Sequence, residues 1–519
     1  MTRIAGSRRL SAALAFLAGA STSLAFAPYA LWPIYPLAIA FTLLLGREHG
    51  PKAAFWHWLS FGFGAFVFGI SWVHVSIDQF GGLPLPVSLS LMGLLALYLA
   101  LYPALAGALY ARLKGASPVF NLLGLFPVLW ILTEFLRGWM LTGFPWLWAG
   151  YSQTDGPLLP LAQVIGVQGI GFAVLIVAGA LALLAQRKII PLMVLLPLLA
   201  LSVWGAMLSS SIERSGESVK VALVQGNVPQ SMKWEPEQLW PTMVKYLDLS
   251  RPHLDADIIL WPEAAIPAPE YMVQEFLDNA NRVANLNDSA IITGIISRQN
   301  ERWYNSLIVL GNHNAKQQGS PDYVSGGGNE FRKHHLLPIG EFVPLESLLR
   351  PLAPFFNLPM SSFNRGDYQQ PNLKAAGYSF APAICYEIAF PEQLRANFSA
   401  NTDMLLTVSN DAWFGASNGP LQHMEIARMR SAELGRPLIR ATNNGVTAVV
   451  DEKGQVTHLL PQFETAVLSA EVPLVKGITL FAKFGHLPLQ LLCGLLLLLG
   501  LLLGLIPALQ RRRSNPSPQ

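Results

Sequence analysis

Over roughly the first two hundred residues, long apolar runs alternate with brief polar breaks; beyond them, short apolar runs are set in polar sequence. A bilayer core about 30 Å thick takes about 20 mostly apolar residues per helix. Eight runs approach that length: Ser11 to Ala27, Leu31 to Leu45, Ala54 to Val75, Ser88 to Ala111, Val119 to Leu136, Leu161 to Ala185, Ile189 to Leu208 and Leu487 to Leu509. Seven precede a polar segment, about Ser209 to His486, and one follows it.

Inside that segment the runs are shorter and richer in β-branched residues. Val219 to Gln225, Ile258 to Trp261, Ala290 to Ile296, Ser306 to Leu310, Ala381 to Tyr386, Met404 to Ser409 and Thr447 to Val450 read as strands. Helical patterns fall between them at Pro236 to Leu249, Glu270 to Leu286 and Leu421 to Leu434, and such alternation predicts an α/β layered domain. Gly326, Gly327 and Gly328 mark a surface loop, and no long-period repeat is present. The expected organisation is seven transmembrane helices over 1–208, the α/β domain over 209–486, and an eighth transmembrane helix with a basic tail over 487–519.

Composition agrees with a membrane protein: the 519 residues are 52% hydrophobic and only 13% charged. A net charge of +3 is too small for a broad nucleic-acid surface, so no nucleic-acid partner is expected. The basic residues are placed unevenly. Arg3, Arg8 and Arg9, then Arg47 and Lys52, Arg112 and Lys114, Arg187 and Lys188, and finally Arg511 to Arg513 occupy every second loop, whereas the opposite short loops hold only Arg137 at a border. Cytoplasmic loops carry the Lys and Arg excess. Both termini are therefore expected in the cytoplasm and the polar segment on the outer face of the membrane. The first run, which follows Arg8 and Arg9 and ends near Ala25-Phe26-Ala27, also fits a cleaved signal peptide; its loss would leave seven spans and the same sidedness.

The loop from Gly138 to Pro160 carries Trp139, Phe144, Trp146, Trp148 and Tyr151, which suits an interfacial aromatic belt. The alternative is a loop that shapes a lipid entrance. Glu134 and Arg137 stand one turn apart near the end of the fifth run, where they can pair, and ionisable residues at such depth mark candidate functional positions.

Only two cysteines are present, Cys385 and Cys493, so a disulfide framework is excluded. Cys385 ends the apolar run Ala381 to Ile384 and precedes Tyr386 and Glu387. Taken alone, a cysteine in that setting reads as an inert core residue. Glu263 ends the run Leu260-Trp261-Pro262, where the proline breaks a strand and leaves the carboxylate at the sheet rim. Lys333 lies in the basic stretch Phe331 to Phe342, which by itself reads as a solvated turn. His334 and His335 have no second cluster at zinc spacing, so no metal is expected. Arg428, Arg430, Arg436 and Arg440 read as a solvated or ion-paired face rather than a headgroup site.

Taken together and in chain order, the motifs around Glu263, Lys333 and Cys385 resemble the Glu-Lys-Cys triad of the nitrilase superfamily of carbon-nitrogen hydrolases. With spans on both sides, the whole chain is similar to that superfamily's membrane-embedded apolipoprotein N-acyltransferase family. Trp234, Glu341 in the Pro-Ile-Gly-Glu-Phe-Val-Pro run, and Tyr386 with Glu387 also match that pattern. The resemblance implies an αββα sandwich inserted between the helices of an eight-helix membrane domain, with the catalytic domain in the periplasm and the helices in the bacterial inner membrane. It further implies a phospholipid acyl donor, commonly phosphatidylethanolamine, a diacylglyceryl-modified apolipoprotein as acceptor, no cofactor, and a monomer.

The chemistry explains the residue types. A free thiol titrates near about pH 8.5, so a nucleophilic Cys385 needs a base and a nearby positive charge, which Glu263 and Lys333 supply. Lys333 and a backbone amide can hold the oxyanion, and Glu263 can serve as acid and base in turn. Trp234 and the stretch Leu345 to Phe356 are candidates for an apolar rim that excludes water, or for ordinary packing. Glu341 would orient Lys333 or the attacking amine, and Tyr386 and Glu387 would brace the strand after the nucleophile. Two other readings share these residues: a membrane-anchored amidase or nitrile hydrolase that passes the acyl group to water, and a non-enzymatic lipoprotein-binding module for which the triad is dispensable.

Overall fold

The computed structural model describes residues 8–208, 211–312, 321–338, 340–342 and 363–514. They divide into two compact units, one of Met1–His74, Pro86–Ser209 and Phe484–Gln519, the other of Val75–Leu85 and Ser210–Lys483.

The first unit is helical. Among the described residues, Leu85–Leu113, Pro118–Arg137 and Leu159–Ala185 are long and apolar enough to cross a membrane, and a fourth span results if the broken pair Pro51–Gly69 and Val73–Phe80 counts as one. Arg9–Ala25, Ile34–Leu45, Leu195–Met207 and Leu487–Leu502 are shorter apolar helices. The aromatic loop departs from the expected belt. Trp139 is exposed, but Trp146, Trp148 and Tyr151 are buried in the unit. The cause is polar: Arg137 Nη1 donates to the carbonyls of Phe144 and Trp146 at 3.0 and 2.6 Å, and Glu134 Oε1 accepts from the Ala149 amide at 3.0 Å. These bonds fold the loop back against its own helix, and the two charges themselves approach to 4.0 Å.

The second unit is an α/β structure of two six-stranded sheets. Its strands are β1 (Glu213–Gln225), β2 (Ile258–Leu260), β3 (Ala290–Gln299), β4 (Arg302–Leu310), β5 (Glu330–Arg332), β6 (Leu373–Ala375), β7 (Tyr378–Ile384), β8 (Met404–Ser409), β9 (Leu438–Thr442), β10 (Ala448–Val450), β11 (Val456–Leu459) and β12 (Ala466–Lys476). The sheet orders are β12-β1-β2-β3-β4-β5 and β11-β10-β9-β8-β7-β6. In each, three central strands run parallel: β1, β2 and β3 in one, β7, β8 and β9 in the other. Parallel strands need crossovers; the helices Pro236–Ser250, Gln274–Leu286 and Gly419–Leu434 provide three of them.

Side-chain alternation along β1 shows how the layers form. Val219, Val221 and Leu223 enter a core that they share with Ile258, Leu260 and Ile292 and with Phe380, Ile384, Leu406, Val408 and Ile439 of the facing sheet. Ala222 and Val224 point the other way, toward Met243, Tyr246, Phe276 and Leu277 of the covering helices. Both faces are dry, so the strand reads as a continuous apolar run. Each fully buried Leu or Ile contributes about 1.5–3 kcal/mol relative to exposure.

The sheets contain more than the sequence pattern suggested. β5, β6, β9, β11 and β12 were not expected, β1 starts at Glu213, and β7 stops at Ile384 so that Cys385 opens a short 3-10 turn, Cys385–Ala389. The helix predicted from Glu270 is a 3-10 turn, Glu270–Met272, followed by the helix Gln274–Leu286. The arginines are not a solvated face: Arg430, Arg436 and Arg440 are buried. Arg430 pairs with Glu433 at 2.7 Å, Arg440 pairs with Asp411 at 2.9 Å, and Arg436 donates to the carbonyls of Thr402 and Gly477 at 2.7 and 2.8 Å.

Candidate active site

In open parallel sheets, functional groups gather beyond the carboxyl ends of strands. Glu263 follows β2, Cys385 follows β7 and Asn410 follows β8, while Lys333 follows the antiparallel β5. The Trp261 amide makes one further ladder bond, to the Ile292 carbonyl at 2.9 Å, before Pro262, which has no N–H, ends the strand. The turn then lies on β3 at Gly294, where a Cβ would come within 2.4 Å of the Ala264 nitrogen and 2.8 Å of the Glu263 Cα. Only a glycine lets this turn sit so close.

The Lys333 amide bonds to the Asn305 carbonyl at 2.8 Å, which sets the lysine beside β4. Its Nζ lies 3.2 Å from Glu263 Oε1 and 2.9 Å from Glu341 Oε1. Asn305 Nδ2 donates to the same two oxygens at 2.8 and 2.9 Å, and the Asn410 amide donates to Glu263 Oε2 at 2.9 Å. Sequence reading did not single out Asn305 or Asn410, since asparagines at a strand and a turn carry no distinctive pattern.

Cys385 has φ +54°, a left-handed conformation uncommon outside glycine. The Glu387 carboxylate holds the turn together. Its Oε2 accepts from the Ile384 amide at 2.9 Å, and its Oε1 accepts from the amides of His334 and His335 at 2.7 and 3.1 Å and from Gln393 at 2.9 Å. Tyr386 is buried with its ring against Phe390 at 5.2 Å. His334 and His335 take structural positions, the latter stacked on Phe390 at 3.7 Å.

Burial alone would raise the Glu263 pKa, but Lys333, the Asn305 amide, Lys233 and the Asn410 N–H reverse the effect and hold it below the usual carboxylate value. Burial likewise opposes charge on Lys333; Glu263 and Glu341 outweigh it and keep the ammonium protonated well above the normal lysine range. Burial first, and then Glu263, push the Cys385 thiol far up, with Lys333 pulling it only partly back. The resting state is a thiol beside a carboxylate–ammonium pair.

Two further groups escaped the sequence reading. Lys233 is buried, and its Nζ donates to the Glu263 carbonyl at 3.1 Å. A lone lysine before Trp234 gives no signal of burial. Trp234 itself is half-buried. Asp411 accepts from Ser409 at 2.6 Å and from Arg440 at 2.9 Å, and lies 3.1 Å from His423 Nδ1. The rim stretch Leu345 to Phe356 lies outside the described residues.

Residues 220–479 match the carbon-nitrogen hydrolase family, and residues 18–180 match the apolipoprotein N-acyltransferase N-terminal domain. The apolipoprotein N-acyltransferase of Shewanella oneidensis is 68% identical over 498 residues, covering 95% of this chain and 96% of that protein. Its counterpart in Photobacterium profundum is 51% identical and covers 92% of each chain. That of Haemophilus influenzae is 40% identical over 97% of this chain and 96% of its own.

Proposed function

The chain belongs to the apolipoprotein N-acyltransferase family, and on that footing we propose that Cys385 takes an acyl chain from a phospholipid as a thioester and passes it to the α-amine of a diacylglyceryl-cysteine at the N-terminus of an apolipoprotein. Membership makes the chain an acyltransferase of lipoprotein maturation, a membrane protein with a nitrilase-like α/β fold in its C-terminal part. Lipid is the donor and lipoprotein the acceptor, which displaces the amidase and the non-enzymatic readings. The finer proposal is phosphatidylethanolamine as donor, a monomer, and eight spans with the α/β domain inserted before the last. The alternation of basic loops supports cytoplasmic termini and a periplasmic α/β domain.

The supporting observation is one buried ammonium, Lys333, shared between Glu263 at 3.2 Å and Glu341 at 2.9 Å, within electrostatic reach of the Cys385 thiol. Because the thiol is pushed up and the carboxylate held down, a free thiolate is disfavoured. Proton transfer to Glu263 therefore accompanies attack: sulfur bonds to the ester carbonyl carbon, and the carbonyl electrons move to oxygen. Lys333 and a backbone N–H hold this oxyanion, a well-aimed donor being worth about 3 kcal/mol. Collapse breaks the bond to the glycerol oxygen, and Glu263 returns the proton to that leaving group.

In the second half, Glu263 takes a proton from the incoming amine, nitrogen attacks the thioester carbon, the C–S bond breaks, and the proton returns to sulfur. Ping-pong kinetics follow from this order. Glu341 orients Lys333, Glu387 and Tyr386 brace the nucleophile's turn, and Trp234 contributes to the apolar rim.

Intact-mass analysis of the full chain, incubated in micelles with phosphatidylethanolamine alone, should show the gain of one acyl chain, lost on addition of a diacylglyceryl peptide. Cys385→Ala and Glu263→Gln should gain none. Acyl transfer by Cys385→Ala would sink the mechanism.

A further inference from the structure

Glu263 is held by two lysines. Lys333 meets its carboxylate, and Lys233 meets its backbone carbonyl at 3.1 Å. Lys233 is only 1% exposed, although lysines ordinarily run their stems along a surface and keep the ammonium in water. Its chain position explains the burial: the amides of Met232 and Lys233 both bond to the Pro229 carbonyl at 3.1 Å, a turn that carries the side chain inward just before the helix Pro236–Ser250. Satisfying one carbonyl needs only a neutral donor, and burying an ion is costly unless an opposite charge lies nearby. The opposing partners in reach are Glu263 and a Cys385 thiolate.

A charge count gives the reason. Among the groups that share hydrogen bonds with Glu263, Glu263 and Glu341 are negative and Lys333 is positive; Asp411 is already matched by Arg440 at 2.9 Å, and Glu387 is met by the N–H donors of Ile384, His334, His335 and Gln393. In the acyl-transfer step, Glu263 becomes neutral while the oxyanion appears, so with Lys333 as the only cation the group would carry an excess negative charge throughout. We infer that Lys233 is a positioning residue for the reaction, anchoring the Glu263 carbonyl and supplying the positive charge that keeps the site neutral as the oxyanion forms. The inference rests on the acyl-enzyme reading above.

Burial lowers the Lys233 pKa from the usual lysine value to about 8, with Glu263 and Cys385 drawing it partly back. Its charge is present below that pH and lost above it. Of the ionisable groups around it, Lys333 after β5 and Cys385 after β7 titrate higher, while Glu263 after β2 and Asp411 and His423 behind the thiol titrate lower. Glu341 completes the set. Glu387, on the turn after Cys385, is raised by burial and gains negative charge as pH rises. The variants below separate its titration from that of Lys233.

The test follows thioester formation from phosphatidylethanolamine on the full-length protein in detergent micelles, by intact mass, at about pH 6 to pH 10. The wild-type rate should fall by about tenfold between pH 7 and pH 9, as one lysine with a pKa near 8 loses its proton. Lys233→Arg, which stays charged, should recover most of the pH 7 rate and lose that alkaline limb. Lys233→Met should be at least about tenfold slower at pH 7 and flat across the same window. A wild-type profile without the limb overturns the proposal whether or not either variant folds, and so does a limb that survives in both variants. If the wild type forms no thioester, the acyl-enzyme reading fails as a whole; thioester formation with an unmoved limb rejects Lys233 alone.

Discussion

His423 Nε2 donates to the backbone carbonyl of Cys385 at 3.0 Å. A carbonyl only accepts, so the proton is on Nε2. The other nitrogen, Nδ1, lies 3.0 Å from Arg440 Nη2 and 3.1 Å from Asp411 Oδ1. Burial and the Arg440 charge lower the His423 pKa, which favours the neutral ring with Nδ1 accepting from the guanidinium. A buried chain thus runs from Arg440 through the imidazole to the peptide bearing the sulfur.

Replacing His423 with Ala removes the donor from a peptide held at φ +54° and leaves its partly buried carbonyl without that hydrogen bond. The expected cost is about 1–3 kcal/mol in stability, with thioester formation slowed by about ten- to a hundredfold as the sulfur drifts from its partners. Thermal melting and the acyl-enzyme rate read the two effects separately. A variant that melts lower yet reacts at the wild-type rate would show that the bond supports folding alone.

At Gly294 the obstacle to substitution is backbone. A methyl group there would lie 2.4 Å from the Ala264 nitrogen and 2.7 Å from the Pro262 carbonyl oxygen, neither of which can swing aside. Gly294→Ala should destabilise the α/β unit by about 1–3 kcal/mol and displace Glu263, so that kcat falls while KM for the lipid changes little. Unchanged kcat would contradict the close approach.

Acid should unfold the α/β unit in a way that depends on Asp411. Burial opposes its charge, but the Arg440 guanidinium and the hydroxyl of Ser409 overcome this and hold the folded pKa well below the unfolded carboxylate value. The associated stability is complete above about pH 3.9 and drains away as pH falls further toward the folded pKa. Asp411→Asn should lose about 3–5 kcal/mol at neutral pH, since Arg440 stays buried without its partner, and should show a weaker acid dependence below about pH 4. Parallel pH-stability curves for the two proteins, measured by near-UV circular dichroism, would refute this.

What could be read from the chain depends on where each group sits. Glu263 and Cys385 close short apolar runs, so strand periodicity pointed to both, and the motif around Lys333 supplied the third position. β9 was hidden because Arg440 interrupts its apolar run, and the arginine is tolerated through Asp411 and His423, partners remote in sequence. β11 has all its residues exposed, so no apolar stripe marks it. The helix Gly419–Leu434 is buried nearly all round yet carries His423, Glu425, Arg430 and Glu433, which pair internally instead of facing water. Lys233 was missed for the same reason: a charge buried by tertiary contacts leaves no local trace. The aromatic loop was misread because a single Arg–Glu pair at its base decides where its rings go.

Glu387 grips the amides of His334 and His335 with one oxygen and that of Ile384 with the other. The segment that presents the ammonium and the segment that presents the sulfur are thus clasped by a single side chain, and neither can shift without dragging its fellow. In the proposed reaction the spacing of the two groups is consequently a fixed gauge: donors of different chain length or headgroup would meet the same separation, and any accommodation of their bulk would fall to stretches of the protein that carry neither group.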